Sequence, residues 1–158
     1  MTNRIQLALL TIMVAFACGV LRTGVALGTH TKVLVAGTAG RTNLVRFARR
    51  YLGVRYVYGG VSPRTGFDCS GFTRFVYAHF GVALPHFAAG QYALGRSVAR
   101  ERLRPGDLVF FDRLGHVGLY LGGGMFIHAP HAGSRVEISS LSSGWYVNRF
   151  DGARRVVA

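Results

Sequence analysis

Residues 116–128 read HVGLYLGGGMFIH, two apolar segments that are separated by three glycines. This pattern predicts an antiparallel β-hairpin, in which the numbers of facing residues have a constant sum. A three-residue glycine loop pairs Leu121 with Met125, whose numbers add to 246. His116 and His128 add to 244, so this loop makes them diagonal neighbours on one face of the sheet. A five-residue loop pairs them directly, and a two-residue loop places them on opposite faces.

The rest of the globular part predicts helices first and strands afterwards. Apolar residues recur at helical spacing over residues 43–52 and 69–80, and Gly53 and Gly81 follow as helix ends. Residues 86–97 are predicted as a loop or a short helix. The predicted strands are 108–111, 116–121, 124–129, 136–138 and 146–157. This order predicts an α+β domain in which N-terminal helices pack on an antiparallel β-sheet.

Cys69 lies where the glycine-rich loop of residues 59–68 turns into the second predicted helix, and Asp68 is a favourable N-cap residue for that helix. The positive end of a helix dipole lowers the pKa of a thiol and so favours the nucleophilic thiolate. On its position alone, Cys69 is either a nucleophile or a small buried apolar residue, which is the commoner role of a free cysteine.

The two hairpin histidines complete the arrangement that a cysteine hydrolase needs. His116 is the candidate base for Cys69, and His128 is the candidate third residue that orients the His116 ring. Two alternatives remain open, namely unrelated sheet histidines or a zinc site that adds His131. A zinc site would need further ligands of fixed geometry, so no metal and no cofactor are predicted.

The N-terminal segment predicts export. Residues 1–28 contain Arg4, an apolar run over residues 7–21 and a small-residue end, which is the order of a signal peptide. A retained membrane anchor and lipidation of Cys18 are alternatives. Residues 29–41 are predicted as a linker and residues 42–158 as the enzyme domain. The expected location is the periplasm or cell envelope.

The net charge of +13 favours anionic partners, such as envelope polymers or a membrane surface. The arginines are scattered and accompany no nucleic-acid-binding pattern, so no nucleic-acid partner is predicted. The protein is expected to be a monomer. A basic surface without a selected partner is the alternative interpretation of the charge.

Five short motifs in this order resemble the NlpC family of papain-like cell-wall peptidases. They are DCSGF at 68–72, LP at 84–85, RPGDLVFF at 104–111, HVGLYLG at 116–122 and FIHA at 126–129. The resemblance extends from about residue 44 to residue 156. It implies a papain-like core with Cys69 as nucleophile, His116 as base and His128 as orienting residue.

The resemblance also implies a substrate, the stem peptide of peptidoglycan, cut between D-glutamate and diaminopimelate or at the D-alanine–diaminopimelate crosslink. It assigns Tyr56 to the oxyanion and substrate region, with core packing as the alternative. It assigns Asp68 and Ser70 to the stem-peptide subsite, where Asp68 is otherwise only a helix cap. After Leu-Pro the family has arginine and a small hydroxyl residue, but this chain has His86 and Phe87.

Neutral histidine cannot bind a carboxylate in the bidentate manner of arginine, so His86 changes the character of this subsite. Two other functions remain open at this point. One is an amidase or acyltransferase that uses the same three residues on another amide. The other is a non-catalytic protein that binds anionic polymers of the cell envelope through its charge.

Overall fold

The computed structural model of the protein describes residues 37–157, and the predicted hairpin lies inside its main β-sheet. The strands, in chain order, are β1 (Val61–Ser62), β2 (Gly66–Phe67), β3 (Arg96–Ser97), β4 (Leu108–Phe111), β5 (His116–Gly122), β6 (Met125–His128), β7 (Glu137–Ser140) and β8 (Phe150–Arg155). β1 and β2 form a separate ribbon. The other six strands pair in the order β3-β8-β4-β5-β6-β7, and every pair is antiparallel.

Four helices accompany the strands. They are α1 (Gly37–Arg49), α2 (Cys69–His79), α3 (Ala88–Tyr92) and α4 (Gly144–Val147), and a single 3₁₀ turn covers Arg100–Arg102. The two long helices precede the sheet in the chain and pack on it, which confirms the predicted α+β class. The second helix begins at Cys69 as predicted, and four strands begin within one residue of their predicted starts.

The elements that differ most from the prediction are the first helix, which ends at Arg49 rather than at residue 52, and the last strand. α1 begins at Gly37, six residues before the expected start, because Arg41 of its first turns is buried against the sheet. Tertiary contacts thus override the poor helix propensity of a segment with two glycines. The last strand covers only Phe150–Arg155, because residues 144–147 form α4, which carries Tyr146 towards the sheet.

The sheet is covered by apolar side chains on both faces. Leu108 and Phe110 of β4 contact the helical side, whereas Val109 and Phe111 belong to a second cluster on the other face. This explains why the LVFF segment is apolar at every position rather than at alternate ones. α2 packs against β5 on the helical side and thereby brings its first residue to the start of that strand.

A buried ion cluster joins α1 to the sheet. Asp107 is fully buried, and its two oxygens accept from Arg155 Nε at 2.7 Å and Arg155 Nη2 at 2.6 Å. The Arg104 backbone N–H donates to the same carboxylate at 2.8 Å, and Arg41 Nη1 lies 3.6 Å from it. Arg41 also donates to the carbonyl of Val157 at 3.1 Å, so the cluster holds both ends of the domain.

Residues 1–28, with the predicted signal peptide and its anchor and Cys18 lipidation alternatives, lie outside the described residues, as do residues 29–36 of the predicted linker. Residues 37–41 of that linker belong to α1. Within residues 37–157, no helix is both long enough and apolar enough to cross a bilayer.

Candidate active site

The first turn of α2 is held by Asp68. This residue has an extended backbone, and its Oδ1 accepts from the Gly71 backbone N–H at 2.6 Å, as an N-cap residue does. The Ser70 hydroxyl donates to the same oxygen at 3.1 Å. Gly71 is required here because a Cβ at this position would collide with the carbonyl oxygen of Gly60. The glycine-rich loop can therefore lie directly on the helix start beside Cys69.

The second oxygen of Asp68 faces the surface. It accepts from the Gly59 backbone N–H at 3.0 Å and contacts His86 Nε2 at 2.8 Å. Asp68 is therefore both the predicted helix cap and a member of a polar cluster that includes Ser70 and His86. Phe87, the other departure from the family pattern, is 60% exposed next to His86.

The hairpin reaches the predicted histidine geometry by a different route from the one expected. Gly122 pairs with Met125, which leaves a two-residue turn with positive φ angles of 59° and 78°, as a type I′ turn requires. Such a turn alone would place the histidines on opposite faces. Leu121, however, is an extra residue between the Tyr120–Phe126 and Gly122–Met125 pairs, which makes it a β-bulge. Because of this extra residue, the pairs on the strand side of the bulge, Tyr120–Phe126 and Leu119–Ile127, have numbers that add to 246. His116 and His128 therefore share a face of the sheet.

The two histidines form a hydrogen-bonded pair that continues into β7. His116 Nε2 lies 2.8 Å from His128 Nδ1, and both rings are buried. His128 Nε2 lies 3.1 Å from the Ser139 hydroxyl, which is 3.3 Å from the Glu137 carboxylate. The Tyr146 hydroxyl lies 3.4 Å from His128 Nε2. Since Nε2 of His116 is engaged, its Nδ1 is the ring nitrogen left for another partner.

Ser139, Glu137 and Tyr146 lie around His128, and the sequence patterns did not identify them as site residues. His128 pairs directly with Glu137 across β6 and β7. Knowledge of this register would have identified Glu137 and Ser139, the two site residues of β7. The connection between β6 and β7 is irregular, however, so the sequence does not define which residues of the two strands pair. The predicted strand 146–157 includes Tyr146, which lies instead on α4.

Cys69 packs against the start of β5. Burial raises the pKa of its thiol, while backbone hydrogen bonding by Val117, Ser70 and Cys69 itself acts in the opposite direction. Because the Val117 backbone takes part in this hydrogen bonding, the Cys69 sulfur lies beside the residue that follows His116. The expected lowering of the thiol pKa is therefore wrong for the resting structure, because burial outweighs these hydrogen bonds and favours the thiol form.

Burial also keeps the two histidines neutral. It lowers the pKa of His116 to about 4, against a smaller raising effect of the Asp112 carboxylate and a lowering effect of His131. It lowers the pKa of His128 to about 2, helped by His116 and His131. A neutral His116 beside a neutral thiol is the state in which the imidazole can accept a proton from sulfur.

Two cavities meet at this site. One of about 440 Å³ is lined by Tyr56, Asp68, Cys69, Ser70 and His86, so the structure brings together these five predicted residues. Desolvation, followed by the neighbouring Cys69 and Asp68, raises the pKa of Tyr56, so its hydroxyl remains a hydrogen-bond donor. The other cavity, of about 500 Å³, includes His116. Gly115 lines both cavities.

The zinc alternative finds no support in the position of His131. Its Nδ1 lies 2.9 Å from the Ala132 carbonyl oxygen in the turn after β6. Among residues 37–157, no three or more His, Cys, Asp or Glu side chains are grouped closely enough to hold a metal ion.

The fold and the site define a class of protein. A helix that begins with a cysteine and packs on an antiparallel sheet with a hydrogen-bonded histidine pair is the arrangement of papain-like cysteine peptidases. Residues 53–155 match the model of the NlpC/P60 family. The chain belongs to this family of cysteine peptidases, as the resemblance implied.

Three similar proteins illustrate the relationship. The chain is 40% identical over 118 residues to the gamma-DL-glutamyl hydrolase of Bacillus subtilis (strain 168), covering 71% of this chain and 28% of that protein. It is 37% identical over 124 residues to the gamma-D-glutamyl-L-lysine dipeptidyl-peptidase of Bacillus cereus (strain ATCC 10987 / NRS 248), covering 75% and 37%. The crystal structure of the NlpC/p60 domain of the peptidoglycan hydrolase SagA superposes with a TM-score of 0.66 at 37% identity, covering 73% of this chain and 97% of that one. The chain thus spans well under half the length of the two full-length relatives.

The neutral buried histidines lead to a prediction about stability. In the unfolded chain both titrate near 6.5, whereas in the folded protein they titrate at about 4 and about 2. As the pH falls below 6.5, the unfolded chain binds more protons than the folded protein, so the folded state loses stability. We expect the free energy of unfolding to fall by up to about 1.4 kcal/mol per pH unit for each histidine.

Urea unfolding at several pH values between about 7 and about 5 measures this slope. His128→Gln should make the pH dependence shallower. Equal slopes in His128→Gln and the wild type would contradict the assignment.

Proposed function

We propose that the protein is an exported endopeptidase that hydrolyses a peptide bond in peptidoglycan stem peptides, with Cys69 as nucleophile, His116 as base and acid, and His128 as orienting residue. The observation that carries this proposal is the His116–His128 hydrogen bond of 2.8 Å, which leaves His116 Nδ1 free beside the start of β5, where Cys69 packs. Membership of the NlpC/P60 family and the activities for which the two Bacillus relatives are named support the same reaction.

The proposed first half-reaction forms a thioester. His116 Nδ1 takes the proton of the Cys69 thiol as the sulfur attacks the carbonyl carbon of the scissile bond. The Cys69 backbone N–H and the Tyr56 hydroxyl are the proposed donors to the resulting oxyanion. The carbon–nitrogen bond then breaks, and the proton held by His116 passes to the leaving amine. The acyl group remains on sulfur.

The second half-reaction restores the enzyme. Water attacks the thioester while His116 accepts one of its protons, and the carbon–sulfur bond breaks. The product is a carboxylic acid, and the proton on His116 returns to the sulfur. His128 keeps His116 in the orientation that both steps need, because its Nδ1 accepts from His116 Nε2–H in the resting tautomer. Its own Nε2–H then points to Ser139.

The cavity next to Cys69 is proposed to hold the acyl side of the substrate. Asp68, Ser70 and His86 line it. Because the His86 ring contacts the Asp68 carboxylate at 2.8 Å, both groups are engaged with each other before any substrate binds. The bond proposed to be cut is that between D-glutamate and the following diamino acid. The D-alanine–diaminopimelate crosslink is the alternative bond, and digestion of sacculi distinguishes the two.

Digestion of purified sacculi tests the proposal. The products are separated and weighed by mass spectrometry, which identifies the bond by the new amino and carboxyl ends. Fragments cut within the stem peptide support the endopeptidase. Release of intact stem peptides from the glycan would instead indicate the amidase alternative. An unchanged digest, with protein that is folded and whose Cys69 is reduced, would contradict the proposal.

Export is proposed from residues 1–28 and from the location of this substrate outside the cytoplasm. Fractionation of cells that produce the full chain tests it. Recovery of the protein in the cytoplasmic fraction alone would contradict export.

A further inference from the structure

The proposed reaction places no part of the substrate in the cavity that contains His116. Its lining consists of Asp112, Gly115, His116, Pro130, His131, Trp145 and Tyr146. Cys69 lines the neighbouring cavity and not this one. In the proposed reaction His116 delivers a proton to the leaving amine, so the residue that carries that amine must lie on the His116 side. The acyl part must lie on the Cys69 side, because it becomes bonded to sulfur.

The turn between β4 and β5 separates the two cavities. Three consecutive residues without the freedom of glycine, Asp112, Arg113 and Leu114, have positive φ angles of 57°, 56° and 65°. Such a left-handed run is costly and persists only where surrounding contacts impose it. Here the Asp151 carboxylate accepts from the Leu114 backbone N–H at 2.9 Å. The turn directs Leu114 to the Cys69 cavity and Asp112 to the His116 cavity.

Asp112 gives the His116 cavity an anionic group. Its carboxylate lies beside Gly115, because a Cβ built on that glycine would be 3.9 Å from Asp112 Oδ2. The other oxygen lies 3.8 Å from Arg149 Nε, a loose ion pair in which both side chains are about half exposed. Arg149 itself stacks on Trp145 at 4.7 Å and does not line the cavity. The Asp112 carboxylate therefore remains available to a second cation.

The remaining walls suit a long side chain. Trp145 is 42% exposed, and together with Tyr146 it adds two aromatic rings to the lining of this cavity. Methylene groups pack on such rings, and an ammonium group is attracted both to the rings and to a carboxylate. A diamino acid residue with a free side-chain amine combines these two properties.

Resting on the proposed function, we infer that the His116 cavity holds the amine-side residue of the scissile bond and selects a diamino acid whose side-chain amine is free. A stem peptide whose diamino acid is already crosslinked carries an uncharged amide at that position. The enzyme therefore prefers stem peptides that are not crosslinked through this residue, and Asp112 is the residue that determines the preference.

Two synthetic peptides test this inference. Both contain L-Ala-γ-D-Glu-L-Lys, and they differ only in whether the lysine side-chain amine is free or acetylated. We expect the wild-type kcat/KM to favour the free amine by about tenfold, the ratio that corresponds to about 1.4 kcal/mol. Asp112→Asn should bring the ratio close to one. Asparagine is the appropriate replacement because it tolerates the left-handed backbone at this position.

The ratio of the two kcat/KM values reports only the recognition of the side-chain amine. Asp112 also raises the pKa of His116, so its replacement changes the rate with both peptides, but that change is the same for both and cancels in the ratio. Glu101→Gln, an exposed acid near Arg155 at the opposite end of the sheet from His116, should keep the wild-type ratio.

Each result decides the matter. A wild-type ratio near one, or an unchanged preference in Asp112→Asn, overturns the inference and leaves the proposed function intact. Failure to cut either peptide by an enzyme that digests sacculi also overturns the inference alone. Inactivity towards peptides and sacculi alike overturns the proposed function.

Discussion

Replacing Cys69 by alanine is expected to reduce peptidoglycan hydrolysis to background, a loss in kcat on the order of 10⁴-fold or more. Without the sulfur no thioester forms, and the remaining groups can only bind substrate and polarise its carbonyl. His116→Ala should be nearly as severe, because the thiol pKa is raised by burial and the resting thiol needs a base. The two losses should not add, since the residues act in one step.

The measurement is the rate of release of new amino ends from purified sacculi, followed over a long time course. His79→Ala is the matched histidine control, because His79 is exposed at the other end of α2 and should retain wild-type activity. Circular dichroism and the unfolding midpoint establish that each variant is folded. Activity of folded Cys69→Ala above one hundredth of the wild-type rate would contradict the role of the thiol.

The second large effect concerns stability rather than chemistry. Asp107→Ala is expected to destabilise the domain by about 3–5 kcal/mol, because it leaves the buried Arg155 guanidinium without its bidentate partner. Arg41 and the Arg104 backbone N–H lose a partner in the same change. This is a large part of the 5–15 kcal/mol that stabilises a typical domain.

Urea unfolding at neutral pH measures the loss. Glu101→Ala, which removes an exposed carboxylate near the same part of the sheet, should change stability by less than about 0.5 kcal/mol. Asp107 precedes β4, whereas His116 pairs with Phe111 at the far end of that strand. The folded fraction of Asp107→Ala should therefore keep its activity. A loss of stability below about 1 kcal/mol would show that the cluster does not hold α1 to the sheet.

The sequence predicted the parts of this site that depend on local patterns. The start of α2 follows from Asp68 as a cap residue and from the glycines around it, and strand β4 appears in the sequence as a continuous apolar run. The shared face of His116 and His128 is predicted for an odd-length loop, but in the structure it results from a two-residue turn together with the bulge at Leu121, which the sequence does not predict. These signals lie within a few residues of the features that they determine.

Features that depend on distant contacts could not be predicted in the same way. α1 begins early because Arg41 finds Asp107, a residue 66 positions further along the chain. Ser139 reaches His128 only through the β6–β7 register, which an irregular connection leaves undefined in the sequence. The pKa of Cys69 is raised by burial in the whole domain, which outweighs the backbone hydrogen bonds of Val117 and of the helix start.

The bulge at Leu121 has a consequence for protein engineering. The shared face of His116 and His128 depends on Leu121 and the glycine turn together, because the two-residue turn alone would place the histidines on opposite faces. Gly123 and Gly124 have positive φ angles, which strain any other residue, and the Gly124 carbonyl accepts from the Leu141 backbone N–H at 2.8 Å. An engineered hairpin must therefore keep both glycines, even though a Cβ built on either would meet nothing within 4 Å. Removing the single residue Leu121 while this turn is kept would move His128 to the wrong side of the sheet.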